Sequence, residues 1–358
     1  MSHFADFKAG DLYSHLPQWR RIGAPTHVLS WIANGVSINA ENVPGRHFSN
    51  QVKFGPQALF VAQEIKDLVA CGALRSVINP PSVVSPLKTV PKKGEKKYRL
   101  ITDLRFLNQF CKVPKFSNED IRTVFDIIEP GDLMITLDLK SAFQHISICD
   151  SDQDLLGISF RNKYYVWQVL PFGSTVSPYY CHKLLRPVIQ YLREQGLRLV
   201  LYVDDIILCA QPEKINEHKD LLLQTLQALG LYVNLSKSQL TPSHEVQFIG
   251  YKILTSQELP RIEIPKDRVY KLKKDLRRAL RLGTISARFL ARILGQCVSM
   301  TRAILPGKLL LCNAFRLLQS KAPCVWMTTL GKTETGGLVV LTIGMDVLSL
   351  NLPLTVKL

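Results

Sequence analysis

Three aspartates are placed to do chemistry, and two of them stand side by side in an apolar run. Residues 197–210, LRLVLYVDDIILCA, carry Asp204 and Asp205 at their centre. Burying an unpaired carboxylate costs several kcal/mol, and two adjacent ones force at least one to take up a proton unless a cation neutralises them. If RLVLY and IILCA are the arms of a hairpin, Val203, Asp204 and Asp205 lie at its tip, where the strands leave the core. Asp138 ends a second apolar run, MITLDL. Three Asp at the ends of neighbouring strands can converge on one point, and hard oxygen ligands so arranged suit Mg²⁺. Two such ions, roughly 4 Å apart, stabilise both the attacking and the leaving oxygen of an in-line phosphoryl displacement. The plain alternative is that each Asp caps a strand or turn. That alternative is the stronger one for any single Asp and the weaker one for this combination.

The elements around these acids follow from periodicity and punctuation. Between residues 132 and 251, DLMITLDL and LRLVLYVDDIILCA predict buried strands, while SPYYCHKLLRPVIQYLREQG and EKINEHKDLLLQTLQALG predict helices closed by Gly196 and Gly230. Their alternation predicts a sheet layered with helices on one face. Upstream, PQALFVAQEIKDLVACG predicts a helix opened by Pro56, with Leu59, Ile65, Leu68 and Val69 at helical spacing and Gly72 at its end. The stretch from residue 79 to 108 is punctuated by Pro and then strongly basic around a turn at Gly94. It predicts a hairpin with Lys92, Lys93, Lys96, Lys97 and Arg99 near the tip. Composition alone favours a solvated loop for that charge run. Residues 1–50 hold Trp19 and Trp31 and predict a small packed arm. After Pro265 the texture is helical. RVYKLKKDLRRALRLG puts Val269, Leu272, Leu276, Ala279 and Leu280 on one face with basic residues elsewhere. In SARFLARILGQCVSM, Ser286 is the expected cap and Phe289, Leu290, Ile293, Leu294 and Cys297 the apolar positions. Beyond residue 326 the patterning predicts no fold, and there is no internal repeat.

Composition narrows the partners. The 358 residues are 46% hydrophobic, enough for a large core, and carry 45 Lys and Arg against 29 Asp and Glu, a formal charge of +16. That excess favours a polyanionic partner, although a basic surface alone does not separate nucleic acid from acidic lipid. The eight Cys are scattered with no CxxC pair. They read as reduced thiols of an intracellular protein, in cytoplasm or nucleus. The N-terminus lacks the apolar core of a secretory signal. The most apolar tail stretch is interrupted by Asp346 and Pro353, short of the roughly 20 residues a membrane span needs, so no membrane partner is expected.

From about Phe54 to Arg302 the chain resembles the reverse transcriptases of retroelements. The matching blocks are SPLKTVPKKGEKKYRLITDLRFLN, LDLKSAFQHISI, LPFGSTVSP, YVDD, NLSKSQ and FIGY. Six short blocks in order are specific where any one is weak. VLSWIANG upstream and RILGQCVSM downstream look closest to DIRS-like retrotransposons. The resemblance implies an α+β, right-hand polymerase architecture with fingers, a palm of antiparallel sheet backed by helices, and a helical thumb. The implied order is an arm to residue 53, fingers at 54–112, palm at 113–147, fingers at 148–168, palm with a primer-grip hairpin at 169–255, thumb at 256–325, and a tail from 326.

It further implies that Asp138, Asp204 and Asp205 hold two Mg²⁺, with Mn²⁺ as the alternative ion, for attack of a primer 3′-hydroxyl on a dNTP. Lys92 and Arg99 are similar to fingers residues that clamp the triphosphate, and Lys93 is a near-equal substitute for Lys92. Phe143, five residues after Asp138, is similar to an aromatic beneath the sugar that leaves no room for a 2′-hydroxyl, with core packing as its alternative. Phe172 and Gly173, in LPFG, belong to a tight turn beside the nascent base pair. Retroviral relatives often carry Gln where Phe172 stands, which leaves stacking or shape in place of a hydrogen bond. Lys237 resembles the basic residue proposed to protonate the leaving pyrophosphate, and a surface lysine reads equally well. Asp103 and Arg105 resemble positions near the template, or form an internal salt bridge. Tyr202, Phe248, Gly250 and Tyr251 are similar to residues that meet the primer and template, and Gly250 would let backbone approach backbone closely. Lys271, Lys274 and Arg278 are then the thumb's contacts to a primer annealed on an RNA or DNA template.

Beyond Asp275 the acidic residues are Glu334 and Asp346, too few for the carboxylate set of a ribonuclease H, and no His after His244 could serve a tyrosine recombinase. Neither activity is expected in this sequence. Two other classes stand beside the reverse transcriptase: another palm-type polymerase, such as one that makes RNA from RNA, which Phe143 argues against, and a catalytically silent nucleic-acid-binding remnant.

Overall fold

The computed structural model describes residues 7–52, 54–91, 98–256, 258–282, 284–301, 303, 324–325 and 355–357. The expected hairpin tip with Lys92 and Lys93 lies outside the described residues, as does most of the tail from 326.

The arm is α1 (Leu16–Arg21) and α2 (Thr26–Asn34), followed by β1 (Arg46–His47). Trp19 has no exposed surface and donates its indole N–H to the Leu229 carbonyl at 3.0 Å. Trp31 meets the Tyr180 ring edge-on at 5.0 Å. The two tryptophans therefore dock the arm as their type suggests. Helix α3 (Pro56–Ala70) starts at Pro56 as expected, but its buried stripe is Ala58, Val61, Ile65 and Leu68. Leu59 and Val69 fall beside that stripe and are exposed, because packing selects one of the faces that helical spacing allows.

Strands β2 (Leu74–Val77), β3 (Val83–Ser85), β4 (Leu87–Pro91) and β5 (Tyr98–Thr102) come next. The pair β4–β5 is antiparallel with Pro91 opposite Tyr98, which are the arms of the expected basic hairpin. Then follow α4 (Ile121–Ile127), β6 (Leu133–Asp138), α5 (Asp150–Gln153), β7 (Gly157–Phe160), β8 (Lys163–Trp167), α6 (Ser177–Glu194), β9 (Arg198–Tyr202), β10 (Asp205–Ala210) and α7 (Ile215–Ala228). The chain continues through β11 (Gln239–Ser243), β12 (Glu245–Phe248), β13 (Tyr251–Leu254), β14 (Arg261–Glu263), α8 (Lys266–Leu282) and α9 (Ala287–Val298).

Two compact units contain these elements. The first is Met1–Asp120 with Ile135–Pro242. It holds a five-stranded sheet in the order β1-β3-β7-β8-β2, the β4–β5 pair, and a four-stranded sheet in the order β11-β6-β10-β9. Since β1 pairs with β3, the arm is woven into the first sheet. In the second sheet Leu199, Val200 and Leu201 of β9 and Ile206 to Ala210 of β10 are buried, which explains their unbroken apolar character. Helix α6 covers them with Tyr180, Cys181, Leu184, Leu185, Val188 and Leu192. The second unit is Ile121–Met134 with Ser243–Leu358. It contains the antiparallel β12–β13–β14, to which Thr355–Lys357 adds, together with α4, α8 and α9. The hairpins β4–β5, β7–β8, β9–β10 and β12–β13 are all antiparallel, so the class is α+β.

Candidate active site

Asp204 and the start of β10 are set by a two-residue turn. In the β9–β10 hairpin Tyr202 pairs with Asp205, leaving Val203 and Asp204 to make the reversal. Val203 has φ of 59°, a left-handed conformation that normally requires Gly and is strained for a β-branched residue. Strain of this kind persists only where surroundings hold it, and here they are identifiable. The Cys181 thiol donates to the Val203 carbonyl at 3.7 Å, and the Leu139 N–H donates to the Asp204 carbonyl at 3.1 Å. The second bond ties the turn directly to the residue after Asp138.

Asp138 is held in turn by the segment after α7. Its backbone N–H donates to Ser238 Oγ at 3.0 Å, and its carbonyl accepts from Asn234 N. Lys237 Nζ lies 3.4 Å from Asp138 Oδ2, with the lysine side chain 67% exposed and the aspartate 17%. Lys237 is thus both a surface lysine and the cation on the carboxylate cluster. The other carboxylate oxygen, Asp138 Oδ1, is buried with no hydrogen-bond partner among the described residues.

The fold disfavours the charge of Asp204 and Asp205. Burial pushes Asp205 up to about 6, with Asp204 and Asp138 adding repulsion, while burial and then Asp138 raise Asp204. A cation bound here would offset the burial, relieve the repulsion and give Asp138 Oδ1 a partner, so the donor set fits a divalent ion of the hard, oxygen-seeking kind. No three His, Cys, Asp or Glu side chains among the described residues form a ready-made cage by themselves.

The raised Asp205 has a consequence for stability. In the metal-free folded chain Asp205 binds a proton between its ordinary value and about 6 that the unfolded chain does not, so stability falls as pH rises through that window. Asp205→Asn removes that slope and, after discounting for solvent screening, stabilises the metal-free chain at pH 7 by about 1 kcal/mol, or roughly 2–4 °C in Tm. Calorimetry at pH 5 and pH 7 in chelator measures it, and an equal pH dependence in wild type and variant would contradict it.

Phe143 follows Ser141, which takes the left-handed conformation at φ 51°, and stands in a short 3₁₀ turn, Ala142–His145. Its ring lies 5.1 Å from that of Phe172, tilted by 53°, and Phe172 is 49% exposed. The structure therefore brings two separately expected residues together. Gly173 has φ of 97°, and its carbonyl accepts from Asn108 Nδ2 at 2.9 Å, while Asn108 Oδ1 accepts from Thr175 N. In the same turn, His145 is buried and pushed down to about 4, mainly by that burial. It stays neutral, accepting from Tyr232 N at Nε2 and donating from Nδ1 to the Ala142 carbonyl.

Other expected residues divide. Arg99 is exposed on β5, and Tyr202 is 38% exposed beside the acids. Of the two readings of Asp103 and Arg105, the internal bridge is formed: Arg105 forks onto the buried carboxylate at 2.8 and 2.7 Å, Lys88 adds a contact at 3.3 Å, and Asp103 falls to about 2. In the second unit, Phe248 and Tyr251 are core residues. Strand alternation puts Val246 and Phe248 on the buried face, and the Tyr251 hydroxyl donates to the Ser299 carbonyl at 2.8 Å. Their rings are not presented outward; the exposed part is the turn Ile249–Gly250, both at positive φ. Gly250 takes a φ of 81° without strain, and the close approach it allows is that of a side chain: Arg268 Nη1 donates to its carbonyl, and a Cβ would press on that guanidinium. Lys271, Lys274 and Arg278 share one exposed face of α8. The buried face holds Leu272, Leu276, Ala279 and, unforeseen, at the border with the basic residues, Asp275, which accepts from Arg292 at 2.6 Å and Gln296 at 2.8 Å. Ser286 caps α9 by accepting from Phe289 N, as expected.

Sequence reasoning missed Ser238, Asn108 and Cys181. Each acts through a bond to distant backbone, and only the NLSKS and LRFLN blocks hinted at the first two.

A two-residue acidic turn tied to a strand-end acid, on a sheet backed by helices, is the arrangement that the resemblance implies for the palm of a right-hand polymerase. Residues 90–253 match the family described as reverse transcriptase (RNA-dependent DNA polymerase). The chain is similar to the retrovirus-related Pol polyprotein from transposon opus of Drosophila melanogaster, 31% identical over 197 residues, covering 53% of this chain and 19% of that protein. It is 28% identical over 181 residues to the Gag-Pol polyprotein of Rous sarcoma virus subgroup B (strain Schmidt-Ruppin), covering 48% of this chain and 11% of the polyprotein. Among solved structures, the foamy viral protease-reverse transcriptase in complex with RNA/DNA hybrid shares the fold at TM-score 0.62 and 18% identity, over 94% of this chain and 46% of that one. The same protein in a dRH form with double-stranded DNA gives TM-score 0.64, over 92% of this chain and 59% of that one. The chain thus spans under a quarter of these two polyproteins. No helix among the described residues is long and apolar enough to cross a membrane.

Proposed function

We propose that this chain is an RNA-directed DNA polymerase that extends a primer annealed to an RNA or DNA template, using dNTPs. The observation that carries it is the convergence of Asp138, Asp204 and Asp205, with an unpartnered buried Asp138 Oδ1 and two acids whose charge the fold disfavours. These three residues would hold two Mg²⁺ or Mn²⁺ ions. When bound, such ions neutralise the triphosphate and lower the barrier to in-line displacement at its α-phosphorus. The chain's own residues do the rest. Phe143 and Phe172 make a flat apolar wall for the sugar and base, Arg99 with Lys92 and Lys93 meets the triphosphate, and Lys237 is near enough to the acids to give a proton to the departing pyrophosphate. In this reading fingers and palm extend to residue 255 and the thumb covers 256–325, with an intracellular site of action. A DIRS-like origin rests on VLSWIANG and RILGQCVSM alone. Foamy viral relatives solved with RNA/DNA hybrid and double-stranded DNA support a duplex partner.

Primer extension on an RNA template with dNTPs and Mg²⁺ tests the proposal. Metal-dependent extension supports it, extension with rNTPs alone favours an RNA polymerase, and duplex binding without extension favours a silent remnant. Neutralising Lys271, Lys274 and Arg278 together should weaken duplex binding and reduce the slope of log affinity against log salt by about one unit for each phosphate no longer neutralised. An unchanged slope, measured by fluorescence anisotropy across salt, would make this face of α8 merely solvated.

A further inference from the structure

Strand β9 is the terminal strand of its sheet among the described residues, so its outward backbone groups have no strand to bond. Two of them are bonded all the same. Arg193, in the last turn of α6, donates from Nε at 3.2 Å and from Nη2 at 2.8 Å to the Leu199 carbonyl. Glu119 Oε2 accepts from Leu201 N at 3.0 Å. The two side chains also grip each other, Arg193 Nη1 to Glu119 Oε1 at 2.8 Å and Nη2 to Oε2 at 2.8 Å, and are 37% and 26% exposed.

In a strand the carbonyl of one residue and the N–H of the residue two further on face the same side. Arg193 and Glu119 therefore stand where a neighbouring strand would, the guanidinium in place of its N–H and the carboxylate in place of its C=O. The bonds are charge-assisted and forked, the stronger kind. They end at Leu201, next to Tyr202 and the strained Val203 turn that carries Asp204 and Asp205.

We infer that Glu119 and Arg193 are a positioning pair for the catalytic hairpin, fixing the free edge of β9 so that the Val203 turn holds Asp204 and Asp205 in their working conformation. This rests on the polymerase reading for its consequence in activity but not for its structural content. On its inner side β9 is tied by β10, and the turn by Leu139 and Cys181; on the outer side, among the described residues, this pair holds Leu199 and Leu201.

The test compares wild type with Glu119→Ala, Glu119→Gln and Arg193→Lys in the full chain. Amide hydrogen exchange without metal or nucleic acid should be about tenfold faster at residues 199–206 in Glu119→Ala, with the rest of the chain unaltered. Glu119→Gln keeps an acceptor for Leu201 and should lie between. The Mg²⁺ midpoint for extension should rise and kcat fall by about tenfold, while KM for template-primer stays within about twofold, the split expected when a site is loosened and the duplex surface untouched. Mn²⁺ binding followed by electron paramagnetic resonance should weaken in parallel. Unchanged exchange at 199–206, or faster exchange with wild-type metal binding, overturns the inference. If Glu119→Ala does not fold, Arg193→Lys, which keeps the charge and loses the fork, carries the same measurements. A wild type that extends no primer overturns the polymerase reading alone, since exchange and Mn²⁺ binding still decide the clamp.

Discussion

Asp204→Asn abolishes primer extension, by about 10³-fold or more, while duplex affinity stays within about twofold of wild type. The exchange removes one charge and keeps the shape of the side chain. The backbone bond from Leu139 to the Asp204 carbonyl does not involve the carboxylate, so the turn survives. The fold even gains: Asp204 is raised by burial and by Asp138, and Asn ends that repulsion, so the metal-free variant should melt at or above the wild-type temperature. Loss of activity with retained or increased stability is a combination that simple misfolding cannot produce. Steady-state extension, anisotropy with labelled duplex and calorimetry in chelator measure the three quantities. Near wild-type extension by this variant would remove Asp204 from the catalytic set and leave the hairpin tip without a chemical role.

Phe143→Val lowers the preference for dNTP over rNTP by roughly 10- to 100-fold, equivalent to about 1.4–2.8 kcal/mol of steric exclusion. The rings of Phe143 and Phe172 meet at 5.1 Å, and the turn that carries Phe143 is fixed by the Ser141 carbonyl, which accepts from Gln144 N, and by neutral His145, bonded to the Ala142 carbonyl and Tyr232 N. Shortening one ring of that pair opens space without touching an acid. The dNTP rate should then drop only a few-fold, as no metal ligand has been altered. Phe172→Ala is the companion variant: if the pair acts as one wall, it also relaxes discrimination, because Phe143 loses the neighbour that limits its tilt. Single-nucleotide incorporation kinetics with matched dNTP and rNTP decide the matter. An unchanged ratio in Phe143→Val means that the ring is packing and that sugar choice lies elsewhere.

The acids, the hairpin that carries two of them, the helices α6 and α7 and the cap at Ser286 were readable from sequence because each is local. Alternation, apolar runs, a terminal Gly or a capping Ser act over a few residues, and the chain order of the six blocks carried the family. Even there, locality had limits: Leu59 and Val69 satisfy helical spacing yet lie off the buried stripe of α3, since periodicity allows more than one face and only packing selects it. Phe248 and Tyr251 are the same lesson in a strand. The motif FIGY does not say which way its aromatics point; the register of β12 against β13 and the bond from the Tyr251 hydroxyl to the Ser299 carbonyl place both rings in the core.

What sequence alone determined, then, is which residues carry charge or flat rings and which short elements hold them, for these depend on composition and on neighbours in the chain. What only the tertiary structure decided is which of them meet. Ser238 reaches Asp138 across 100 positions, Phe172 reaches Phe143, and Glu119 and Arg193 reach the edge of β9 across 82 and 6. No local pattern records such pairs, because a hydrogen bond to a distant backbone atom leaves no periodicity behind. The same holds for Val203: nothing in YVDD announces a left-handed valine, which exists because bonds from Cys181 and Leu139, made possible only by the folded sheet, hold the turn against its own preference.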